Sequence, residues 1–321
     1  MKKFKILLSG LMAFSMVFVN SSMGTDASSP KTDKQIFAEY CDSIVQKNDL
    51  RKTMQQQTEN SDDVYEAILK FVSNDTVGVK EIMQKNTSST ETLAFSDDEN
   101  VTYDAFEEYL NSKGIFIYST EEIPVIVPYS SGSSDVTMSN VMITYESTTQ
   151  EWCVTGGGHW VSYQAIANDM PIDLFPYAGK KTNIGGQDAV GVTLYQTSGT
   201  KPTLKRCSGY IHDGKGNDMT LNNPYNLDST RGVAFEYQDY KTTLSAIAGY
   251  PEFNYMGYGF AAQAIYDSKF AQYHGKARSY YAHTWKNTSI KSIGISTSGF
   301  NTSWSDAENR WAIYNNSEKI F

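Results

Sequence analysis

The sequence predicts an α+β protein in which a helical N-terminal region precedes an antiparallel β-sandwich-like C-terminal domain. Before residue 125, apolar residues recur at helical spacing, as at Ile36, Tyr40 and Ile44. After residue 140 the apolar period becomes two, over about ten short segments separated by turn residues. No long helical segment lies between these strands, which is typical of an antiparallel sandwich or barrel.

Residues 1–24 have the three-part pattern of a secretory signal peptide. Three lysines precede residue 6, and Ile6–Val19 is an almost wholly apolar run. Ser22 and Gly24 place small residues at the −3 and −1 positions of a cleavage site. The run is shorter than the roughly 20 residues that span a bilayer. We therefore expect cleavage and secretion to the extracellular space, not a membrane anchor.

Capping residues set the expected helix boundaries in the N-terminal region. Asp33 is predicted to cap the first helix, and Asp63 with Glu66 forms a capping pair at the start of the second. A third helix carries Phe106 on its apolar face and ends before Gly114, which suits the C′ position. The N-terminal region is thus expected to contain at least three amphipathic helices.

Charge and tryptophan content change together near a serine-rich segment. Residues 31–125 contain 19 acidic and 9 basic residues, whereas residues 126–321 contain 16 and 15 and all five tryptophans. We expect an acidic helical region at 25–125, a linker at 126–139 and a β-sandwich domain at 140–321. The acidic region is interpreted as a removable pro-region or as a solvated first domain. The sequence has no basic cluster, which argues against nucleic-acid binding.

Three cysteines remain after the signal peptide, and an exported protein can form disulfides. Cys153 and Cys207 both lie in strand-like segments, so they are the expected pair. Cys41 lies on the apolar face of the first helix and would remain unpaired. Three free thiols are the alternative, since spacing does not determine connectivity.

Cys153 and His159 flank a triple glycine and are the candidate catalytic pair. A thiolate beside an imidazole would make a cysteine-type hydrolase. The phrase that begins at His159 is similar to one in papain-like peptidases, but those enzymes place the cysteine at a helix N-terminus well before the histidine. Here both residues lie in strand-like sequence, so the glycines are interpreted as a bulge or tight bend.

No metal site and no cofactor are predicted, because the histidines and cysteines lack the usual ligand spacings. The loop 213–218 resembles a calcium loop through Asp213, Asn217 and Asp218. It lacks the glutamate that closes such a loop, so a hairpin turn is the preferred interpretation.

Tyr281, His283 and Trp285 alternate along one strand-like segment and therefore share a face. If that face is exposed, these aromatics are candidates for binding sugars or a membrane interface. The alternative is ordinary packing between two sheets, which would bury them.

Three phrases resemble a group of secreted proteins of Gram-positive bacteria, the geobacillin-like large bacteriocins. They are residues Val154–Gly158, Gly232–Tyr240 and Arg278–Trp285, within a similarity that covers about residues 140–321. The resemblance implies an exported antibacterial protein made with an N-terminal segment that is removed or regulatory. It assigns no catalytic residue.

Three functions therefore follow as hypotheses. The first is a secreted, non-enzymatic antibacterial protein that acts on the envelope of competing bacteria. The second is a secreted cell-wall or carbohydrate-binding surface protein, and the third is a secreted hydrolase that uses Cys153 and His159. The expected partner is a bacterial envelope or cell-wall component, with no nucleic acid and no small-molecule cofactor.

Overall fold

The computed structural model describes residues 30–47, 61–86, 101–118, 122–124, 134–167, 169–171, 177–245, 252–315 and 317–321. The signal peptide predicted at 1–24 and the linker residues 126–133 lie outside these ranges. Residues 32–321 form one compact unit. Helices lie mostly in its N-terminal half and antiparallel sheets follow, so the predicted α+β class is confirmed. None of the described helices is both long and apolar enough to cross a membrane.

The α-helices of the described residues are Asp33–Lys47 (α1), Ser61–Val72 (α2), Thr76–Lys85 (α3), Tyr103–Ser112 (α4) and Tyr163–Ala167 (α5), and a 3-10 helix covers Ser268–Gln272. The cap of α1 lies one residue before the predicted Asp33. The Gln35 amide donates to Thr32 Oγ1 at 3.2 Å, and the Thr32 amide donates back to Gln35 Oε1 at 2.9 Å. This reciprocal pair satisfies two amides that the helix leaves free.

Two seven-stranded antiparallel sheets form the larger part of the unit. The first sheet contains Ile115–Ile117 (β1), Val136–Met138 (β3), Met142–Glu146 (β4), Glu151–Trp160 (β5), Leu204–His212 (β8), Asp218–Leu221 (β9) and Gly259–Tyr266 (β14). The second contains Glu122–Pro124 (β2), Asp188–Gly199 (β7), Asn226–Asp228 (β10), Gly232–Tyr237 (β11), Tyr273–Thr284 (β15), Arg310–Tyr314 (β18) and Ser317–Ile320 (β19). Their orders are β1-β4-β5-β14-β8-β9, with β3 beside β5, and β10-β11-β7-β15-β19-β2, with β18 beside β15.

Two small sheets complete the fold. Lys181–Asn183 (β6), Tyr240–Ser245 (β12) and Glu252–Met256 (β13) form a three-stranded sheet, and Ile290–Ser296 (β16) pairs with Gly299–Trp304 (β17). The two large sheets pack face to face, and their facing side chains share one apolar core. Phe260 of β14 stacks on Tyr281 of β15 with ring centroids 3.8 Å apart. This is the predicted sandwich arrangement.

Helices α2, α3 and α4 cover the outer face of the first sheet, whereas α1 packs against the core that the two large sheets share. Ile68 and Phe106 belong to a second apolar core together with Cys153, Tyr210 and Ile265 of the strands. Strand β3 lies inside the predicted linker and pairs with β5, while β1 and β2, which precede it, pair with β4 and β19. The described part of the predicted linker is therefore built into the sheets.

The triple glycine lets the two large sheets approach closely. A Cβ on Gly156 would lie 2.4 Å from Ser279 Cβ and 2.9 Å from Val192 Cγ1, both in the opposing sheet. The pairing of Gly156–Gly158 with Ala262–Phe260 runs without interruption. The predicted bulge is therefore wrong, and close packing explains the glycine at position 156.

Replacing Gly156 by alanine is expected to lower the free energy of unfolding by about 1–3 kcal/mol, because the methyl group has no space between the sheets. The matched control is Gly294→Ala in β16, where a Cβ would have its nearest neighbour at 3.6 Å. That substitution should stay within about 0.5 kcal/mol of the wild type. Denaturant unfolding measures both, and equal effects would contradict the close approach.

Lys34 of α1 is a buried lysine, with 1% of its surface exposed. Its Nζ donates to the Tyr273 carbonyl and lies 4.8 Å from the ring centre of Phe321. Burial lowers the pKa of Lys34 to about 7, against the opposing influence of Asp33. The native state thus holds this amine with a weakened affinity for its proton.

Native stability is expected to rise with pH because of Lys34. Between pH 7 and 10.5 the unfolded chain keeps a proton on this amine that the native state has lost. Over that window the wild type should gain up to about 1.4 kcal/mol per pH unit relative to Lys34→Met, which has no titrating group there. Unfolding curves of the two proteins at several pH values check this, and parallel pH profiles would refute it.

Candidate functional site

All three cysteines are free thiols, and the predicted Cys153–Cys207 disulfide is wrong. Strand β14 lies between their strands: Cys153 pairs with Ile265, and Cys207 pairs with Ala264. Because consecutive residues of a strand point to opposite faces, the two sulfurs lie on opposite sides of the sheet. Two strand spacings, roughly 10 Å, also separate the backbones, which is too far for a disulfide.

The structure does not bring Cys153 and His159 together. They lie six residues apart on the single strand β5, which is roughly 20 Å. Cys153 is buried, and that burial raises the pKa of its thiol to about 12. A thiol without a nearby imidazole and with a raised pKa is inert as a nucleophile. The geometry therefore gives no support to a cysteine hydrolase at these residues.

The predicted exposed aromatics lie in the core instead. Tyr281 and His283 are 0% exposed, and Trp285 is half-buried. His283 stacks on Trp285 with ring centroids 5.5 Å apart. Their shared face points into the sandwich, so these three residues do not form a binding surface, and the alternative of packing between sheets is correct.

A buried polar cluster, formed by Asp188, Asp239 and His283, lies at the ends of three strands. Asp188 is the first residue of β7, Asp239 lies in the short connection from β11 to β12, and His283 is near the end of β15. All three are 0% exposed, and one ligand atom of each lies within 4.8 Å of the others. This cluster has no signature in the sequence, because its members are about 50 residues apart and share no spacing motif.

Three donors converge on the Asp188 carboxylate. The Tyr281 hydroxyl donates to Oδ2 at 2.7 Å, and the Thr284 amide donates to Oδ1 at 2.9 Å. His283 Nδ1 lies 2.8 Å from Oδ2. Burial alone would lower the pKa of His283, but the Asp188 carboxylate and neighbouring acidic groups outweigh it and raise the pKa to about 10. The raised pKa favours the protonated ring, in which Nδ1 donates to Asp188.

Asp239 has a different environment in the same cluster. The Tyr255 hydroxyl donates to its Oδ2 at 3.0 Å. Burial, and then the charge of Asp188, raise the pKa of Asp239 well above its usual range. Two carboxyl groups this close in a dry interior cannot both ionise beside one imidazolium without a large cost. The raised pKa of Asp239 thus reflects the cost of a second carboxylate beside Asp188.

A surface depression of about 460 Å³ lies where α5 meets β13 and the turn between β8 and β9. It is lined by Tyr163, Gln164, Ala167, Lys215, Glu252 and Phe253. Gln164, Lys215 and Glu252 are exposed, and the two aromatic rings are half-buried. The depression thus has an aromatic floor and a polar rim.

The aromatic floor is fixed by contacts with its neighbours. The Tyr163 ring stacks on the Tyr258 ring with centroids 4.9 Å apart. The Phe253 ring lies edge-on to the Tyr163 ring with centroids 6.2 Å apart. The Tyr163 hydroxyl donates to the Asp213 carbonyl, and Lys215 Nζ lies 4.7 Å from the centre of the Tyr163 ring. These contacts hold the ring in one orientation before any ligand binds.

The loop that resembled a calcium site is the turn that carries Lys215. The Asp213 carboxylate accepts hydrogen bonds from the amides of Lys215 and Asn217 at 2.8 and 3.1 Å. Its second oxygen accepts from the side chains of Asn217 and Asn254. The predicted hairpin turn is correct, and these bonds position Lys215 at the rim.

No protein-family model and no curated protein sequence matches the chain. Its function must therefore be argued from the chemistry of its own sites.

Proposed function

We propose that the protein is an exported, non-enzymatic binding protein of the bacterial envelope that recognises a cell-wall glycan with the surface depression. The observation that carries this proposal is the pair of half-buried rings Tyr163 and Phe253 beside the exposed groups of Gln164, Lys215 and Glu252. Export is the expectation from residues 1–24.

The chemistry of a sugar ring suits such a site. One face of a pyranose presents C–H groups that pack on an aromatic ring, and its edge presents hydroxyl groups. Glu252 can accept hydrogen bonds from hydroxyls, Lys215 can donate them, and the Gln164 amide can do both. An apolar floor with a few placed polar groups is the usual composition of a small-molecule site.

Antibacterial action remains part of the proposal through the resemblance to large bacteriocins. Binding to the wall would then be the step that brings the protein to its target. The cysteine hydrolase alternative has no comparable support, because Cys153 is buried and distant from His159.

Replacing Tyr163 by alanine is expected to weaken binding to isolated bacterial cell walls at least tenfold, which is about 1.4 kcal/mol. The ring supplies the apolar contact, and large truncation effects are common for such aromatic anchors. Cosedimentation of the whole chain with purified walls, over a range of wall concentrations, measures the affinity.

The matched control for that experiment is Tyr40→Ala, which removes a tyrosine that is 38% exposed on α1. Its binding should equal that of the wild type. Equal losses in both variants, or none in Tyr163→Ala, would count against the depression. A zone-of-inhibition assay with the whole chain separates killing from binding. If the protein binds walls but kills no tested strain, the bacteriocin hypothesis is wrong and the protein is a surface-binding protein.

A further inference from the structure

We propose that Asp188, Asp239 and His283 bind a divalent transition-metal ion, Zn²⁺ or Mn²⁺, inside the sandwich. This inference goes beyond the proposed glycan binding and does not depend on it. The three residues come from separate strand ends and meet in a part of the core where all of them are 0% exposed.

The distances within the cluster suit one ion. Ligands of a tetrahedral ion at 2.0–2.1 Å from the metal lie about 3.3 Å from one another. One atom from each residue already lies within 4.8 Å of the others, and His283 Nδ1 and Asp188 Oδ2 are 2.8 Å apart. An ion between His283 Nδ1 and Asp188 Oδ2 would replace their hydrogen bond and separate these two atoms by about 0.5 Å more.

The ligand atoms of the cluster indicate which metal ions it would prefer. Two carboxylate oxygens with one imidazole nitrogen suit Zn²⁺ or Mn²⁺, whereas Ca²⁺ and Mg²⁺ prefer shells made only of oxygen. Binding of the ion would displace the proton from His283 Nδ1, and the divalent charge would then balance the Asp188 and Asp239 carboxylates.

An unsatisfied polar atom beside the cluster provides an independent observation. Within the described part of the chain, the buried Tyr237 hydroxyl has no hydrogen-bond partner. Tyr237 lies beside the cluster, because it is the register partner of Asp188 where β11 pairs with β7. Buried polar groups are nearly always bonded, so an orphaned hydroxyl at this place indicates a ligand of the cluster.

The far nitrogen of His283 also has the surroundings of a metal-bound imidazole. Its Nε2 lies 3.6 Å from Asp169 Oδ2, which is longer than a direct hydrogen bond but within reach after a small movement. Metal-bound histidines almost always donate the other ring N–H to a carboxylate, a backbone carbonyl or water, which fixes the ring. Asp169 can take this positioning role while Nδ1 faces the ion.

The test uses the whole chain, which is unfolded in denaturant that contains a chelator. Separate samples are then refolded with Zn²⁺, Mn²⁺, Ca²⁺ or no metal, and each is dialysed to remove unbound ions. Elemental analysis should find about one Zn²⁺ or Mn²⁺ per chain and no retained Ca²⁺. The melting temperature should rise with the bound ion, since a ligand that binds only the folded state stabilises it. Absence of a retained ion would overturn the proposal.

Two variants locate the ion. Asp239→Asn keeps the side-chain shape and an oxygen that can accept from the Tyr255 hydroxyl, so it should fold while losing the ion. The control His274→Gln removes an exposed histidine and should retain it. An ion that persists in Asp239→Asn, or disappears in His274→Gln, would overturn the assignment.

A spectroscopic measurement on the wild-type chain tests the ligand assignment without requiring that a variant folds. Co²⁺ in place of Zn²⁺ should give visible absorption bands of oxygen and nitrogen coordination. A site that uses Cys41, Cys153 or Cys207 would add thiolate-to-metal charge-transfer absorption, and that result would contradict the Asp188, Asp239 and His283 assignment.

Discussion

A chain that lacks residues 25–125 is expected not to reach the native fold. The missing helices contribute Ile68, Leu69 and Phe106 to the apolar core that covers Cys153 and Ile265 of the first sheet. Burying one such side chain contributes about 1.5–3 kcal/mol. Together these three side chains would contribute roughly 5–9 kcal/mol, which is comparable to the total stability of a typical domain.

Expression of residues 126–321 alone tests this expectation and, with it, the hypothesis of a removable pro-region. We expect a fragment without a cooperative thermal transition that binds a hydrophobic dye at the uncovered sheet face. The intact chain under the same conditions is the control. A cooperative transition and a dispersed NMR spectrum from the fragment would show that the helices are a separable segment, as the resemblance to bacteriocins implies.

Replacing Asp188 by asparagine is expected to lower the free energy of unfolding by about 3–5 kcal/mol, the usual cost of removing one partner of a buried ion pair. The amide keeps one oxygen for the Thr284 N–H, but its NH₂ group would face the Tyr281 hydroxyl and His283 Nδ1, both of which donate to Asp188. His283 would also lose its counter-charge in a dry environment.

Urea unfolding monitored by tryptophan fluorescence measures this loss. The control Asp306→Asn removes an exposed carboxylate by the same chemical change, and it should alter stability by less than about 0.5 kcal/mol. A similar small effect for Asp188→Asn would show that the cluster is not essential to the packing of the sandwich.

Sequence patterns over short ranges predicted the end of α4 and the strand-rich region correctly. Gly114 has a φ of +72° directly after α4, as its predicted C′ position requires. After residue 140 the described chain consists mainly of short antiparallel strands, as the apolar period of two predicts. These features depend on residues near one another in sequence, so period and turn chemistry were sufficient to predict them.

Features that depend on distant contacts could not be predicted in this way. The short strands β6, β10 and β19 have no clear alternation and form only because neighbouring strands offer hydrogen bonds. The position of β14 between Cys153 and Cys207, which prevents the expected disulfide, follows from strand order and not from spacing.

In the candidate sites, too, features that depend on neighbouring residues could be predicted and features that depend on distant contacts could not. Tyr281 and His283 were correctly predicted to share a strand face, but alternation alone does not say whether that face meets solvent or another sheet. Asp188 and Asp239 had no signal beyond being acidic residues at strand ends. The depression joins Tyr163 to Phe253, which are 90 residues apart in the chain.

Glycan recognition by the depression is tested most directly by isothermal titration of the whole chain with soluble glycan fragments released from bacterial cell walls. We expect saturable binding with one site per chain and a loss of at least tenfold in affinity in Tyr163→Ala, while Tyr40→Ala binds as the wild type does. No heat of binding to any fragment, or unchanged affinity in Tyr163→Ala, would contradict the proposed function.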